Sequence, residues 1–208
     1  MILIGYGTGR CGTKSLASFL NQQEGFNVTH EGVLLSWQPA FTDTEETIKN
    51  LVSRDGKVIG DIGFFWIHYI DLILRKYKGS KAINIFRDDE EVIESFWSYM
   101  NPETQPNIIN NWWKGYPFDS PEQTKDSIAF TIKKYRMLEH EVQKLYPASI
   151  YRMKTEDLNN KKELENLLDW IGDSEHKLLS PVHTNKREQI LASRNAQNGR
   201  PRFNLGRS

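Results

Sequence analysis

Residues 7–15 read GTGRCGTKS and stand between a short apolar run, residues 1–4, and a helix-like stretch, residues 16–20. A glycine-rich turn between a first strand and a first helix is a common device for holding phosphate. Its glycines let the backbone approach the anion, and the helix N-terminus presents free amides to it. Arg10 and Lys14 add full positive charges. The stretch therefore predicts a site for a phosphorylated nucleotide.

The loop departs by one residue from the pattern of the P-loop NTPases, G-x-x-x-x-G-K-[ST]. Gly7 and Gly12 have the required separation, but Thr13 intervenes before Lys14 and Ser15. In addition, no run of four apolar residues leads directly into an aspartate that could hold a magnesium ion. The sequence therefore argues against an NTPase.

A second interpretation is the dinucleotide-binding fingerprint G-x-G-x-x-G. Gly7, Gly9 and Gly12 match it, and Glu31 lies about 20 residues further on, where a ribose-binding acid belongs. The fingerprint is short, and it leaves the charged and hydroxyl side chains of residues 10–15 unexplained. An NAD(P)-dependent oxidoreductase of the Rossmann type stays open as an alternative, as does a non-catalytic nucleotide-binding module.

Two segments resemble those of the sulfotransferases that use 3′-phosphoadenosine 5′-phosphosulfate (PAPS). Residues 9–16, GRCGTKSL, are similar to that family's 5′-phosphosulfate-binding loop, in which a basic residue, any residue, Gly and Thr open the first helix. Residues 82–86 lead into Arg87, and Ser95 follows eight residues later, as in the family's segment that binds the 3′-phosphate. The alternative is that Arg87 forms an ion pair with Asp88 or Glu91 at the helix N-terminus and that Ser95 is an ordinary surface serine.

A third segment, residues 149–171, resembles the late strand, Glu-Asp-Leu and helix of many sulfotransferases; its Glu-Asp-Leu stands at residues 156–158. The order and spacing of the three segments agree with the family over roughly residues 1–172. The resemblance, to carbohydrate-type and bacterial-type members, implies sulfuryl transfer from PAPS to a hydroxyl or amine of a small-molecule or carbohydrate acceptor. The product nucleotide would be 3′-phosphoadenosine 5′-phosphate (PAP), and no metal ion would be needed.

The resemblance also implies which residues bind the nucleotide. They lie in the loop, in the 3′-phosphate segment and in a basic stretch near the C-terminus, and they are Gly9, Arg10, Cys11, Gly12, Thr13, Lys14, Ser15, Arg87, Ser95 and Arg200. For Arg200 the alternative is a solvated tail. Arg10 stands where many family members have a lysine. Because an arginine cannot donate its proton in a protein, Arg10 can stabilise the leaving phosphate only by charge and hydrogen bonds, and Lys14 shares that work.

A base is needed as well, because the acceptor must lose a proton as it attacks sulfur. Glu31, which lies 21 residues after Arg10, is the predicted base, since the resemblance places a catalytic glutamate at about that position. His30 competes for the role; in a strand its side chain would point to the opposite face from Glu31. Asp61 is either an acid that orients the substrate or a structural turn residue.

Strand-like and helix-like segments alternate along the chain with short connections, which predicts an α/β fold. We expect a three-layer sandwich: a central, mostly parallel sheet of about five strands with helices on both faces, similar to the P-loop NTPases. Ligands bind beyond the carboxyl ends of such strands. Residues 101–119 look like a loop or lid, in which Trp112 and Trp113 either contact the acceptor or anchor the loop to the core.

The length and composition of the chain limit the number of domains and the classes of partner. The 208 residues predict a single domain, residues 1–208, and 27 basic against 27 acidic residues give no overall field that favours nucleic acid or an anionic membrane. The one cysteine, Cys11, suits a reducing compartment, and its place in the loop predicts a thiol accessible to alkylation. It is either a small filler residue or a residue with a redox role. No segment approaches 18 apolar residues, so we expect a cytoplasmic protein without a membrane anchor. The oligomeric state stays open.

Overall fold

The computed structural model describes residues 1–33, 35, 41–100 and 124–173. Its strands are β1 (Ile2–Tyr6), β2 (Phe26–His30), β3 (Val58–Ile62), β4 (Lys81–Phe86) and β5 (Ile150–Lys154). Its α-helices are α1 (Thr13–Leu20), α2 (Phe41–Val52), α3 (Ile70–Lys76), α4 (Asp89–Met100), α5 (Lys125–Leu145) and α6 (Lys161–Ile171). Two short 3₁₀-helices, Phe64–His68 and Thr155–Asn159, follow β3 and β5.

The five strands form one sheet in the order β2-β3-β1-β4-β5, and every neighbouring pair is parallel. In the centre, Ile4 pairs with Asp61 on one side and with Ala82 on the other. All five residues of β1 are buried, as expected for a central parallel strand that is covered on both faces. The predicted α/β fold with about five parallel strands is therefore confirmed.

Alternate side chains of β1 enter two hydrophobic cores. Leu3 packs with the apolar residues of α1 and α6 on one face, and Ile4 and Tyr6 pack with those of α2, α3 and α5 on the other. Each fully buried aliphatic side chain contributes roughly 1.5–3 kcal/mol relative to leaving it exposed, so both layers fix the sheet. The predicted placement of helices on both faces is confirmed.

The strand order also bears on the Rossmann alternative. In that fold the second strand lies directly beside the first, which brings the acid at its end to the ribose of a dinucleotide. Here β3 lies between β1 and β2, so Glu31 follows a strand that is one position further from the glycine-rich loop. The observed order is not that of a Rossmann dinucleotide-binding sheet.

No helix within the described ranges is both long and apolar enough to cross a bilayer. Among the same residues, no three His, Cys, Asp or Glu side chains are grouped so that they could hold a metal ion.

Candidate functional site

The glycine-rich loop runs from the end of β1 to the start of α1, and several of its residues adopt the left-handed backbone conformation, with positive φ. Gly9, Arg10 and Gly12 have φ angles of 76°, 55° and 90°. Gly12 is also the N-cap residue of α1, and its carbonyl accepts a hydrogen bond from the Leu16 amide at 2.9 Å. Turns of this kind point successive amides into a concavity that suits an anion, and the helix N-terminus adds to the positive potential.

The loop packs directly against β4, so position 7 has no room for a side chain and must be glycine. A Cβ on Gly7 would overlap the Ile85 carbonyl oxygen and would come within 2.6 Å of Cys11 Sγ. Cys11 is completely buried under the loop, and burial raises the pKa of its thiol to about 12. The interpretation of Cys11 as a thiol accessible to alkylation is therefore wrong; the side chain is a filler, and only backbone atoms of this residue can face a ligand.

The loop is also held from the side of β5 by Thr155. Its hydroxyl lies 2.6 Å from the Cys11 carbonyl oxygen and 3.1 Å from the Phe86 carbonyl oxygen, so one donor joins the loop to the end of β4. Leu158, three residues further on, packs beneath Gly12, where a Cβ would lie 3.2 Å from Leu158 Cδ1. The Glu-Asp-Leu segment thus supports the loop from below.

Arg10 points from the loop to α4. Its Nε donates to Ser95 Oγ at 3.1 Å, and its Cζ lies 4.7 Å from the centroid of the Tyr99 ring. Burial lowers the pKa of Arg10, and the nearby charge of Arg87 acts in the same direction. The two segments that the sequence assigned to the 5′- and 3′-phosphates therefore touch, although 85 residues separate Arg10 from Ser95.

Arg87 follows the last residue of β4 and pairs with an acid of α4. Its Nε donates to Glu91 Oε2 at 2.5 Å, which is the ion-pair alternative considered for this residue. The Asp88 side chain accepts hydrogen bonds from the amides of Glu90 and Glu91, at 3.0 and 3.2 Å, and so caps the start of α4. Ser95 is half-buried rather than an exposed surface serine.

Beneath this segment lies a buried polar network that sequence reasoning missed. Glu139 of α5 accepts from Asn84 of β4 at 2.9 Å and from Arg136 at 2.8 Å. Arg136 also donates to Asp89 at 2.8 Å and to the Arg87 carbonyl at 2.7 Å. The network ties α5 to the end of β4. Arg136 and Glu139 lie three residues apart on α5, but Asn84 and Asp89 lie 55 and 47 positions before the residues they contact, so no local pattern groups the whole network.

His30, the last residue of β2, faces the first turn of α1. Its Nε2 lies 3.1 Å from Thr13 Oγ1, within hydrogen-bond reach. Burial lowers the pKa of His30, and the positive charge of Lys14 lowers it further, which favours the neutral imidazole. Lys14 is exposed on α1 and Ser15 is half-buried beside it.

Glu31 follows His30 in the left-handed conformation, with φ 50°, and its amide donates to the Ile62 carbonyl at 2.9 Å. A Cβ on Gly63 would lie 3.2 Å from Glu31 Cγ, so the side chain lies beside the end of β3. Burial raises the pKa of Glu31, and the negative charge of Asp61 raises it further. Among the described residues, the non-glycine residues with positive φ are Arg10 and Glu31.

Asp61 is fully buried in β3, and its contacts favour the structural alternative. Oδ1 accepts from the Thr29 hydroxyl at 2.5 Å and from the Gly32 amide at 2.8 Å, and Oδ2 accepts from the Trp66 indole at 2.7 Å. Burial raises the pKa of Asp61, although these hydrogen bonds and Arg54 oppose that rise.

Three predicted ligand contacts lie outside the described residues: Trp112, Trp113 and Arg200. The residues that sequence reasoning missed within the site are Thr155 and Tyr99. Thr155 directly precedes the Glu-Asp-Leu segment and Tyr99 stands one helical turn after Ser95, so both positions were adjacent to a recognised motif.

A search against protein-family profiles gives no match to this sequence, and a search of curated protein sequences gives none either. Among solved structures, the chain is similar to the sulfotransferase domain from the curacin biosynthetic pathway, with a TM-score of 0.52 and 18% sequence identity. The similarity covers 90% of this chain and 78% of that one. At this identity the similarity establishes the fold, which is sulfotransferase-like.

Proposed function

We propose that the protein is a sulfotransferase that moves a sulfuryl group from PAPS to a hydroxyl or amine of a small-molecule or carbohydrate acceptor. The observation that carries this proposal is the hydrogen bond between Arg10 Nε and Ser95 Oγ. It brings a phosphate-type loop into contact with a second segment, the one that also carries Arg87. Two adjacent segments with basic side chains support a nucleotide that has both a 5′- and a 3′-phosphate. A nucleotide without a 3′-phosphate would leave the basic and hydroxyl side chains of that second segment without a ligand group to bind.

The residues of the site fit such a nucleotide. The left-handed turns at Gly9 and Gly12 and the start of α1 offer amides to the 5′-phosphate, while Arg10 and Lys14 supply charge. Arg87 and Ser95 are proposed to bind the 3′-phosphate. Charge-assisted hydrogen bonds of this kind contribute roughly 1.5–3 kcal/mol each.

The nucleotide, when bound, supplies the sulfuryl group and a phosphate leaving group. Arg10 is proposed to stabilise the negative charge that develops on that phosphate, since fixed positive charge is most effective where charge appears in the transition state. Glu31 is proposed to take the proton of the acceptor as it attacks. A carboxylate whose pKa is raised by burial and by a neighbouring negative charge is a stronger base than an exposed one.

His30 has a different proposed role from that of Glu31. Its imidazole is within hydrogen-bond reach of Thr13 Oγ1 and can orient that hydroxyl toward the nucleotide phosphate. His30 stays the competing candidate for the base. Balanced charge and a single cysteine support the further proposal of a cytoplasmic enzyme without a nucleic-acid or membrane partner.

Glu31→Gln tests the base with radiolabelled PAPS and a panel of hydroxyl and amine acceptors. The substitution keeps size and removes the ability to take a proton, so we expect turnover to fall by roughly 10²–10⁴ while the affinity for PAP stays nearly unchanged. His30→Ala is the matched comparison and is expected to be milder. Full turnover in Glu31→Gln with a collapse in His30→Ala would transfer the role of base to His30.

The same assay separates the alternatives. A binding module would bind PAP and transfer no labelled sulfuryl group to any acceptor. A dinucleotide oxidoreductase would instead be stabilised by NAD(P) in thermal unfolding, because a ligand at 100 times its dissociation constant stabilises the folded protein by about 2.7 kcal/mol. Stabilisation by NAD(P) but not by PAP would overturn the proposed function.

A further inference from the structure

Asp61 is buried at the end of β3, yet it touches the chain on both sides of Glu31. Its Oδ1 accepts from Thr29 Oγ1, two residues before Glu31, and from the Gly32 amide, one residue after it. The Thr29 hydroxyl also lies 2.9 Å from Arg54 Nη1. One carboxylate oxygen therefore closes the turn in which Glu31 stands.

The turn leaves little freedom to the residues around Glu31. A Cβ on Gly32 would come within 2.6 Å of Thr29 Cβ, so the turn closes tightly against its own start. The Glu31 amide is held by the Ile62 carbonyl, which continues the pairing of β2 with β3 by one residue. The left-handed backbone of Glu31 is strained for a residue with a side chain, so the surrounding contacts must enforce it.

The opposite side of the Asp61 carboxylate is fixed as well. Oδ2 accepts from the Trp66 indole nitrogen at 2.7 Å, and the Trp66 side chain is completely buried in the core. This hydrogen bond fixes the Asp61 carboxylate against the 3₁₀-helix that follows β3. The ionisable groups around the turn are Asp61 from β3, Arg54 after α2, and His30 with Lys14 on the loop side.

We propose that Asp61 is a positioning residue for Glu31: its carboxylate fixes the left-handed turn and so holds the Glu31 carboxyl where the acceptor's proton is taken. This inference rests on the proposed function of Glu31 as base. Asp61 itself touches neither nucleotide nor acceptor, and its effect on the reaction passes through Glu31 alone.

The test is a double-mutant cycle on Asp61 and Glu31. Hydrolysis of PAPS to PAP and sulfate, in which water replaces the acceptor, measures transfer without an identified acceptor. We expect Asp61→Asn to lower kcat by about tenfold or more while the PAP dissociation constant changes by less than about threefold. In the Glu31→Gln background the same substitution should lower kcat by less than about twofold, because the positioned group is already absent.

Asp173→Asn is the matched control. Asp173 is also a buried aspartate, but it pairs with Lys57 at the start of β3, the end of the strand away from the site. It should leave kcat unchanged. In Asp61→Asn the new amide N–H faces the Trp66 N–H, and if that variant does not fold, the cycle is run with Asp61→Asn/Trp66→Phe against Trp66→Phe.

The outcomes separate this inference from the proposed function. An equal loss of kcat on Asp61→Asn with and without the Glu31 carboxyl would overturn the positioning role and leave the base in place. If the wild-type protein binds no PAP and hydrolyses no PAPS, the proposed function fails. The positioning role of Asp61 then fails with it, because that role is defined through Glu31 as the base.

Discussion

The left-handed backbone of Arg10 and Glu31 is a property that residue types alone did not predict. The resemblance to sulfotransferases assigned chemical roles to both residues, but it gave no sign of a positive φ. A positive φ normally indicates glycine, because a residue with a side chain is strained there. Backbone strain persists only where the surrounding structure enforces it, and it is found preferentially at functional sites. Its occurrence at two predicted site residues, rather than elsewhere in the described chain, supports their assignment.

Glu31 should destabilise the folded protein at neutral pH. When folding raises the pKa of a carboxyl group, the folded state favours the protonated form of that group. The resulting stabilisation of the folded protein is fully present below the ordinary pKa of 4.5 and is lost as pH rises through the raised pKa. We therefore expect Glu31→Gln to have a higher Tm than the wild type at pH 8 and an equal Tm near pH 4. Calorimetric scans at both pH values measure this. A lower Tm at pH 8 would show that the carboxylate is stabilising instead.

If Arg87 binds the 3′-phosphate as proposed, its ion pair with Glu91 competes with that ligand. Their ion pair is half-exposed, and such pairs contribute about 0.2–1 kcal/mol, so removing the competitor should tighten PAP binding by about 1.5–5-fold. Glu91→Gln should have this effect on PAP and none on adenosine 5′-phosphate, which lacks the 3′-phosphate. Glu90→Gln, the same change at the exposed neighbour, is the control for general electrostatics. Isothermal titration calorimetry that shows equal tightening in both variants would argue against Arg87 as the 3′-phosphate ligand.

At the scale of elements, the alternation of strands and helices was predictable from the sequence. The exact ends of the helices and the hydrogen bonds between elements were less predictable. The periodicity of Ile48, Leu51 and Val52 predicted a helix from Glu45, but α2 begins at Phe41, because its first turn has no apolar periodicity to mark it. The apolar stretch after β3 predicts one helix that runs through Tyr77, but the structure has a 3₁₀-helix followed by α3. The 3₁₀-helix places the Trp66 indole within hydrogen-bond distance of the Asp61 carboxylate. The spacing of apolar residues does not predict this contact.

Thr155 is the cross-link that joins three elements, since it follows β5 and its hydroxyl reaches both the loop and the end of β4. Thr155→Val removes that hydroxyl at constant shape and leaves carbonyl oxygens without their partner. We expect a loss of about 1–3 kcal/mol in the free energy of unfolding, together with weaker PAP binding. Thr155→Ser retains the hydroxyl and serves as the control. Urea titrations and PAP affinities that do not differ between the two variants would show that the loop does not depend on this contact.

At the scale of the whole molecule, the sequence predicted the layers of the fold and the edge of the sheet on which the site lies. Parallel strands place their carboxyl ends together, so motifs that follow β1, β2, β3 and β4 had to meet. The strand order was not predictable, because it depends on pairings such as Ile4 with Asp61, 57 residues apart. For the same reason the sequence could not decide that Cys11 is buried or that Asp61 serves the turn of Glu31.

The central claim is that the loop and the Arg87–Ser95 segment form one site for a nucleotide with two separate phosphates. Calorimetric titration of the wild-type protein with PAP and with adenosine 5′-phosphate tests it most directly, with Arg87→Ala as the matched variant. We predict that PAP binds the wild type more than about tenfold more tightly than adenosine 5′-phosphate does, and that Arg87→Ala removes most of this difference. Equal affinity of the wild type for the two nucleotides would contradict the claim.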